Sequence, residues 1–311
     1  MGGLLDRRLV FVTGKGGVGK STVATAIGLL GARRGLRTIV VELASQDRLQ
    51  RAFSDGHGDG TSHFKEVELE PGLFTISIDP QHSMEEYLRL KAGPMGGLLS
   101  SSKMFGAFAM ATPGMRELLS IGKVWELAQL HRKTRGAAPY DLVVVDAPAT
   151  GHGIGILKTP RTFAEIARVG PIAAQGRQIH ETLVDRDFTA LVAVATPEEM
   201  PVNETLSLND ALGKEQMALN TVVLNALYPA RFDQEQTDAL RAALPDATAP
   251  LERMALRAAL SEQRRATGQR EQRGRLQKVF GKRLAELPFV FADDLGLEQM
   301  RGLADALEPA L

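Results

Sequence analysis

The sequence has no cysteine among its 311 residues. Disulfides, thiolate zinc sites, cysteine-ligated iron–sulfur clusters and cysteine nucleophiles are therefore excluded. The chain also has no net charge, because 37 Lys and Arg residues balance 37 Asp and Glu residues. A neutral chain indicates no long-range field that would attract nucleic acid or anionic lipid.

Long apolar runs are also missing. No stretch of about 18 consecutive apolar residues occurs, so we expect no transmembrane helix. The first predicted strand begins at Arg8, which leaves no room for a signal peptide before it. The absence of cysteine fits a reducing compartment, and we expect a cytoplasmic protein.

A glycine-rich stretch, Gly14–Thr22, stands out in what remains. It reads GKGGVGKST and satisfies the phosphate-loop pattern G-x-x-x-x-G-K-[ST]. The apolar run Arg8–Val12 predicts a strand before it, and Ser21–Arg34 has the apolar spacing of a helix after it. A chance match in a glycine-rich turn is the alternative, and the strand–loop–helix context argues against it.

The chemistry of a phosphate loop accounts for these residue types. Glycines let the backbone turn tightly and bring its N–H groups to a phosphate, at the positive end of the following helix. Lys20 is expected to reach the β- and γ-phosphates, and the Ser21 hydroxyl to bind Mg²⁺. The predicted nucleotide-binding residues of the loop are Gly14, Lys15, Gly16, Gly17, Val18, Gly19, Lys20, Ser21 and Thr22.

A second landmark is Asp146, which ends the apolar run Tyr140–Asp146. P-loop NTPases use an aspartate in this position to hold Mg²⁺, directly or through water. Asp146 and Ser21 are therefore the predicted metal ligands. In the loop that follows, the Gly151 N–H is a candidate for contact with the γ-phosphate. An ordinary strand-to-loop turn is the alternative reading.

Strand and helix patterns alternate along the chain, which predicts an α/β fold with a doubly wound, mostly parallel sheet of the P-loop NTPase type. We expect a single domain, 1–311, with an inserted helical subdomain at approximately 83–135 plus 155–186. The other predicted strands are Arg37–Leu43, Leu73–Ile78, Thr189–Ala195, Asn220–Leu224 and Leu287–Phe291, and the other predicted helices are Ser83–Leu90, Met115–Arg132, Thr162–Arg168, Gln175–Val184, Leu251–Arg283 and Leu297–Leu307.

Lys15 gives the loop a family resemblance. The run from Lys15 to Thr22 resembles the deviant Walker A loop of the SIMIBI class of nucleotide-dependent dimers. That resemblance implies a catalytic role for Lys15, which would reach across a dimer interface to the partner's phosphates, as an arginine finger does. Lys20 would act on the phosphates of its own chain.

Further segments narrow the resemblance. The run from Asp146 to His152, D-x-x-x-T-G-H, is similar to the switch II signature of the family that holds the arsenite-pump ATPase and the ATPase that targets tail-anchored membrane proteins. Ile78–Pro80 and Pro113-Gly114 also match. The resemblance implies that Asn225 reads adenine, that the loop containing Pro288 closes over the base, and that ATP and Mg²⁺ are the cofactors. A strand-end turn is the alternative role for Asn225.

The chain also departs from this family. Aligned without gaps, the family's water-orienting aspartate falls on Ala44, which cannot orient or deprotonate water. Asp47 is the candidate substitute, with a helix-start residue as its alternative reading, and Glu42 is expected at the strand end. We therefore expect an ATPase that is slow or dependent on a partner. Without cysteines, neither a zinc bridge between subunits nor a thiolate site for a metalloid is possible.

The combined interpretation is an ATP-hydrolysing dimeric switch, either a homodimer or a dimer with a paralogue, coupled to a hydrophobic client helix or a membrane protein. Met95–Met110 is either an adaptable groove for such a client or a subdomain core. The alternatives are a positioning ATPase on membrane or DNA, the ATPase subunit of an anion transport system, and an ATP-dependent ligase. Nucleic acid is disfavoured, because the arginines of 253–283 have few aromatic neighbours.

Overall fold

The computed structural model describes residues 3–43, 48–53, 64–87, 112–134, 136–293 and 295–311. The strands are β1 Leu9–Gly14, β2 Thr38–Glu42, β3 Val67–Glu70, β4 Leu73–Ser77, β5 Leu142–Asp146, β6 Thr189–Ala195, β7 Thr221–Leu227 and β8 Leu284–Pro288. The helices are α1 Lys20–Arg33, α2 Arg48–Phe53, α3 at 80–87, α4 Met115–Leu127, α5 Thr150–Ala167, α6 Pro171–Val184, α7 Glu199–Lys214, α8 Gln234–Ala243, α9 Pro250–Phe280 and α10 Leu297–Leu307.

The strands form one eight-stranded sheet in the order β3-β4-β2-β5-β1-β6-β7-β8. Every neighbouring pair is parallel except β3 and β4, which are antiparallel. The predicted α/β fold with a mostly parallel sheet of the P-loop NTPase type is therefore confirmed. Both faces of the sheet are covered, which is why its inner strands are near-continuous apolar runs.

Two apolar cores lie on the two faces of the sheet. Val10 and Val12 of β1 point to one core, which α1 and α10 cover with side chains such as Ile27 and Leu307. Phe11, between them in the sequence, points to the other core, where helices α4 to α7 pack. Because successive strand residues alternate between faces, β1 anchors both cores and is buried along its whole length.

The strand order decides where loops meet. β1 lies between β5 and β6, and Val12 is the register partner of Asp146. The carboxyl ends of parallel strands share one edge of the sheet, so the loop after β1 and the end of β5 come together there. This edge, between strands whose connections run in opposite directions, is where α/β sheets bind ligands.

Several predicted boundaries change in the structure. The last strand was predicted at Leu287–Phe291 and instead spans Leu284–Pro288, because β8 is an edge strand that buries only alternate residues and so lacks an apolar run. β3, α7 and α8 had no strong pattern and were not predicted. α5 begins at Thr150, earlier than the predicted start at Thr162.

Helices α4 and α6, which fall within the residue ranges predicted for the inserted subdomain, contact each other. Trp125 of α4 donates from Nε1 to Thr182 Oγ1 of α6 at 3.1 Å. The division into a sheet domain and a subdomain at approximately 83–135 plus 155–186 stays a prediction, and Met95–Met110 lies outside the described residues.

Within the described parts of the chain, no helix is both long and apolar enough to cross a bilayer.

Candidate functional site

The phosphate-loop candidate connects β1 to α1, and at two of its three glycines with positive φ a neighbouring atom also leaves no room for a Cβ. Gly14 has φ 147°, and a Cβ there would lie 2.2 Å from the carbonyl oxygen of Val194 on the neighbouring strand. Gly19 has φ 93°, and a Cβ there would lie 2.3 Å from Nδ2 of Asn225. A side chain at Gly14 would push the loop away from the sheet, and one at Gly19 would displace the Asn225 amide from its contact.

The middle of the loop is open. A Cβ built on Gly16 or Gly17 would meet no described atom within 4 Å. Gly19 is the N-cap of α1, and among the described residues no side chain caps this helix start. The first-turn N–H groups, which include those of Ser21 and Thr22, therefore have the arrangement that binds anions at helix N-termini. Val18 is buried and anchors the loop to the core.

The two lysines of the loop point in different directions. Lys20 donates from Nζ to the carbonyl oxygen of Lys15 at 2.8 Å and so folds over the mouth of its own loop. Lys15 extends to α7, where its Nζ lies 2.9 Å from Oε1 of Glu204 and also contacts the Met200 sulfur. One lysine therefore lies over the loop, and the other is directed away from it.

The predicted metal ligands are in contact. Ser21, at the start of α1, donates from its hydroxyl to Asp146 Oδ2 at 2.5 Å. Ala147, the residue after Asp146, donates its backbone N–H to the Val12 carbonyl at 3.0 Å and continues the pairing of β1 with β5. A hydroxyl and a carboxylate in this position are the oxygen ligands that Mg²⁺ prefers, together with water and phosphate oxygens.

A second carboxylate, Glu42, lies beside Asp146. It ends β2, is 3% exposed, and pairs in register with Asp146. Its two carboxylate oxygens accept from the Leu49 N–H at 3.3 Å and the Ser77 hydroxyl at 3.0 Å. The sequence placed Glu42 at the strand end but showed no role for it. In the structure, Glu42 fixes the start of α2 to the sheet.

The segment in which we expect the water-orienting residue is not among the described residues. Ala44 and Asp47 lie outside the described residues, between β2 and α2. Gly151 is placed in the first turn of α5, which begins directly after the loop from Asp146. The segment predicted as a loop through His152 is therefore helical from Thr150 onward.

Asn225 contacts the loop from β7. Its Nδ2 donates to the Val18 carbonyl at 2.9 Å. The pairing of β7 with β8 is irregular after Leu224, and Ala226 has φ 64°, which is uncommon for a residue with a Cβ. Gln269 of α9 holds this bulge, because it donates to the Ala226 carbonyl at 3.3 Å and accepts from the Tyr228 N–H at 2.7 Å.

An aromatic cluster that the sequence did not reveal follows Asn225 and Pro288. Tyr228 stacks on Phe289 with ring centroids 4.7 Å apart, and Phe291 meets Phe289 edge-on at 4.8 Å. Phe291 is 56% exposed. The three rings come together because β7 and β8 are neighbours and Phe289 donates to the Leu227 carbonyl. Spacing within one segment could not reveal them, since two segments contribute the rings.

The sequence is similar to a known protein family and to several curated proteins. The sequence model of the family described as anion-transporting ATPase matches residues 7–172 and 165–254. The chain is similar to ATPase BagA of Mycobacterium tuberculosis, with 31% identity over 234 residues, 73% of this chain and 67% of that protein. It is also similar to the arsenical pump-driving ATPase of Escherichia coli, with 27% identity over 256 residues. That match covers 76% of this chain and 42% of the pump ATPase. ATPase get3 of Pyrenophora tritici-repentis is 25% identical over 278 residues, covering 75% of this chain and 78% of that protein.

Proposed function

Since the chain belongs to the anion-transporting ATPase family, we propose that it is an ATP-hydrolysing switch that works as a dimer and uses Mg²⁺. The observation that supports this most directly is the 2.5 Å contact between the Ser21 hydroxyl and the Asp146 carboxylate. This contact joins the phosphate-loop candidate to Asp146 at the edge of the sheet where α/β folds bind ligands.

Each part of the site has a role in this proposal. The loop amides and Lys20 bind the β- and γ-phosphates, and Ser21 and Asp146 hold the metal. Ser21 and Asp146 would hold Mg²⁺ beside the phosphates, where it would supply positive charge that offsets the charge developing on them. Gly151, at the start of α5, carries the change in phosphate occupancy to that helix.

The base-binding side of the site is proposed to lie beside Asn225. The Asn225 carboxamide oxygen can accept from the amino group of adenine, and Pro288 and the aromatic cluster of Tyr228, Phe289 and Phe291 provide apolar surface near it. Tyr228 and Phe289 are half-buried and Phe291 is exposed, so the aromatic cluster lies partly open to solvent.

The proposal of a dimer rests on the position of Lys15. Its ammonium lies on α7 and not over its own loop, which supports action on the phosphates of a partner. The partner is a second copy or a paralogue. Asp47 is the candidate for orienting the attacking water, and a slow or partner-dependent rate is expected because Ala44 stands where the family has an aspartate.

The coupled process is proposed to involve a hydrophobic client or membrane partner contacted by Met95–Met110. One relative is named for driving an arsenical pump. This chain has no cysteine, so a soft thiolate site for a metalloid is excluded from the proposal. Transport of another anion, positioning on membrane or DNA, and ligation would each show as a different partner or co-substrate.

Calorimetry tests the nucleotide site. Mg·ADP is titrated into the wild type, Asp146→Asn and Asp141→Asn. Asp141 is the matched control, since it precedes the same strand at the opposite edge of the sheet and accepts from the Arg37 N–H. We expect Asp146→Asn to weaken Mg²⁺-dependent binding by about tenfold or more, as loss of metal-site partners does. The wild type failing to bind Mg·ADP would refute the proposal.

Turnover tests the dimer. Lys15→Ala is expected to lose hydrolysis while its affinity for Mg·ADP stays close to that of the wild type, because Lys15 acts on the other subunit's phosphates. Phosphate release and calorimetry measure the two quantities separately. Wild-type turnover in this variant would remove the trans-acting role.

A further inference from the structure

The ammonium of Lys15 is bound by one helical turn of α7. Its Nζ lies 2.9 Å from Glu204 Oε1 and contacts the sulfur of Met200, four residues earlier on the same helix face. The Lys15 side chain is 29% exposed and that of Glu204 is 36% exposed. The contact is thus partly shielded from solvent and specific in geometry.

The two partners differ in how firmly they are held. On α7, Val202 and Thr205 are buried, and Asn203 accepts from Arg275 Nη2 of α9 at 2.6 Å. Glu204 therefore belongs to an anchored turn. Lys15 lies between Gly14 and Gly16, in a loop whose centre is open. When the pair separates, the lysine is the side that moves.

We propose that Glu204 is a positioning residue that latches Lys15 in cis until the phosphates of a partner subunit compete for it. The proposal rests on the trans-acting role of Lys15 given above. A single ammonium can contact the carboxylate of its own α7 or the partner's polyphosphate, but not both. A polyphosphate carries more charge than one carboxylate, so the exchange is favourable only when a nucleotide-loaded partner is present.

The latch has a measurable consequence for assembly. Glu204 stabilises the separate subunit and so opposes the closed dimer. Removing its charge should strengthen nucleotide-dependent dimerisation by about two- to fivefold, the scale of a partly exposed ion pair. The affinity of one subunit for its own nucleotide should change little, because the Glu204 carboxylate contacts the ammonium of Lys15, which the proposed function assigns to the partner's phosphates.

Sedimentation with Mg²⁺ and the non-hydrolysable analogue AMP-PNP tests this. We compare the wild type, Glu204→Gln, Lys15→Ala and the double variant. Asp210→Asn is the matched control, because it removes one exposed carboxylate from the same helix. Glu204→Gln should dimerise more tightly than the wild type and Asp210→Asn. The gain should vanish in the Lys15→Ala background. If Glu204→Gln does not fold, Glu204→Asp, whose shorter side chain lengthens the contact, takes its place.

The outcomes separate the latch from the proposed function. Dimerisation of Glu204→Gln equal to or weaker than that of Asp210→Asn overturns the latch, and a weaker dimer would mean that Glu204 supports the closed state. If Lys15→Ala is still impaired in turnover and dimerisation in that case, the trans-acting role of Lys15 is kept and only the latch is rejected. Wild-type turnover and dimerisation in Lys15→Ala would overturn both.

Discussion

At the scale of single residues, Gly19 is the tightest point of the phosphate loop. Its φ of 93° and the 2.3 Å approach of Asn225 Nδ2 to a Cβ both disfavour a side chain. Gly16 lies three residues earlier in the same loop, without a positive φ and with open space where a Cβ would be. Comparing Gly19 with Gly16 therefore distinguishes a glycine that the backbone conformation requires from one that only lies in the same loop.

We predict that Gly19→Ala loses about 1–2 kcal/mol of unfolding free energy from backbone strain, and more if Asn225 is displaced. Gly16→Ala should change stability by less than about 0.5 kcal/mol. Urea denaturation at pH 7 measures both. Equal effects of the two substitutions would contradict the assignment of strain to Gly19.

At the scale of elements, α9 is tied to the bulge of β7 by one side chain. Gln269 gives an acceptor to the Tyr228 N–H and a donor to the Ala226 carbonyl, on either side of the kink that directs Asn225 to the loop. A bulge leaves such backbone groups without ladder partners, and this amide supplies them.

We predict that Gln269→Ala costs about 1–2 kcal/mol in stability, because two backbone groups lose their partner. It should also lower discrimination of ATP from GTP, since Asn225 is no longer held. Gln277→Ala is the control, on the same helix with an exposed bond to the Gly281 carbonyl. Urea denaturation and competition binding are the measurements. A selectivity ratio in Gln269→Ala equal to that of the control would contradict a role in base recognition.

A second link between elements is a buried ionic network. Arg132, whose side chain is fully buried, bonds Glu66 before β3 and Glu126 of α4. Lys123 joins Glu126 to Glu86 of α3. Burial opposes ionisation of Glu66 and Glu126, yet the hydrogen bonds and charge of Arg132 hold the pKa of each carboxyl below its usual value.

The sign of the pH dependence follows. Carboxyls with a depressed pKa in the folded state stabilise it above the unfolded pKa of 4.5, and this stability is lost as the pH falls through their folded pKa values. Arg132→Leu should lose about 3–5 kcal/mol at pH 7, because it leaves charges buried without their partner. The deficit should shrink below pH 4.5, where protonated carboxyls need no counter-ion.

Urea denaturation at pH 7 and pH 4 measures this difference. Arg34→Leu is the control, since its ion pair with Glu308 is 46% and 49% exposed and should contribute less than about 1 kcal/mol. A deficit in Arg132→Leu that is the same at both pH values would show that packing, and not charge, accounts for the loss.

At the scale of the whole molecule, local patterns predicted what depends on local sequence. β6 and α10 were predicted with the bounds that the structure shows, because one is a continuous apolar run and the other a clean amphipathic helix. Ser21 and Asp146 are in contact because parallel strands end at one edge of the sheet, and their role as metal ligands stays a prediction.

The remainder depends on tertiary contacts that no local pattern contains. β3 lies at the sheet edge with one exposed and three half-buried residues, and its glutamates hide the strand pattern. The hydrogen bonds of Gln269, the aromatic cluster and the contacts of Lys15 each join segments far apart in the sequence. A polar residue on an Arg-rich helix, such as Gln269, looks like any other solvated residue until β7 lies beside it.

Binding at the sheet edge should stabilise the whole chain, because α1 and β5 both belong to its core. Ligand at about 100 times its Kd stabilises a protein by about 2.7 kcal/mol, which for a chain of this length raises Tm by about 4 °C. We predict this shift for Mg·ADP with the wild type and a smaller one when EDTA removes Mg²⁺. Ser21→Ala should abolish the Mg²⁺-dependent part of the shift while keeping the part due to phosphate contacts. A shift in Ser21→Ala that still depends fully on Mg²⁺ would place the metal elsewhere, since this hydroxyl is the only α1 side chain that bonds Asp146 among the described hydrogen bonds.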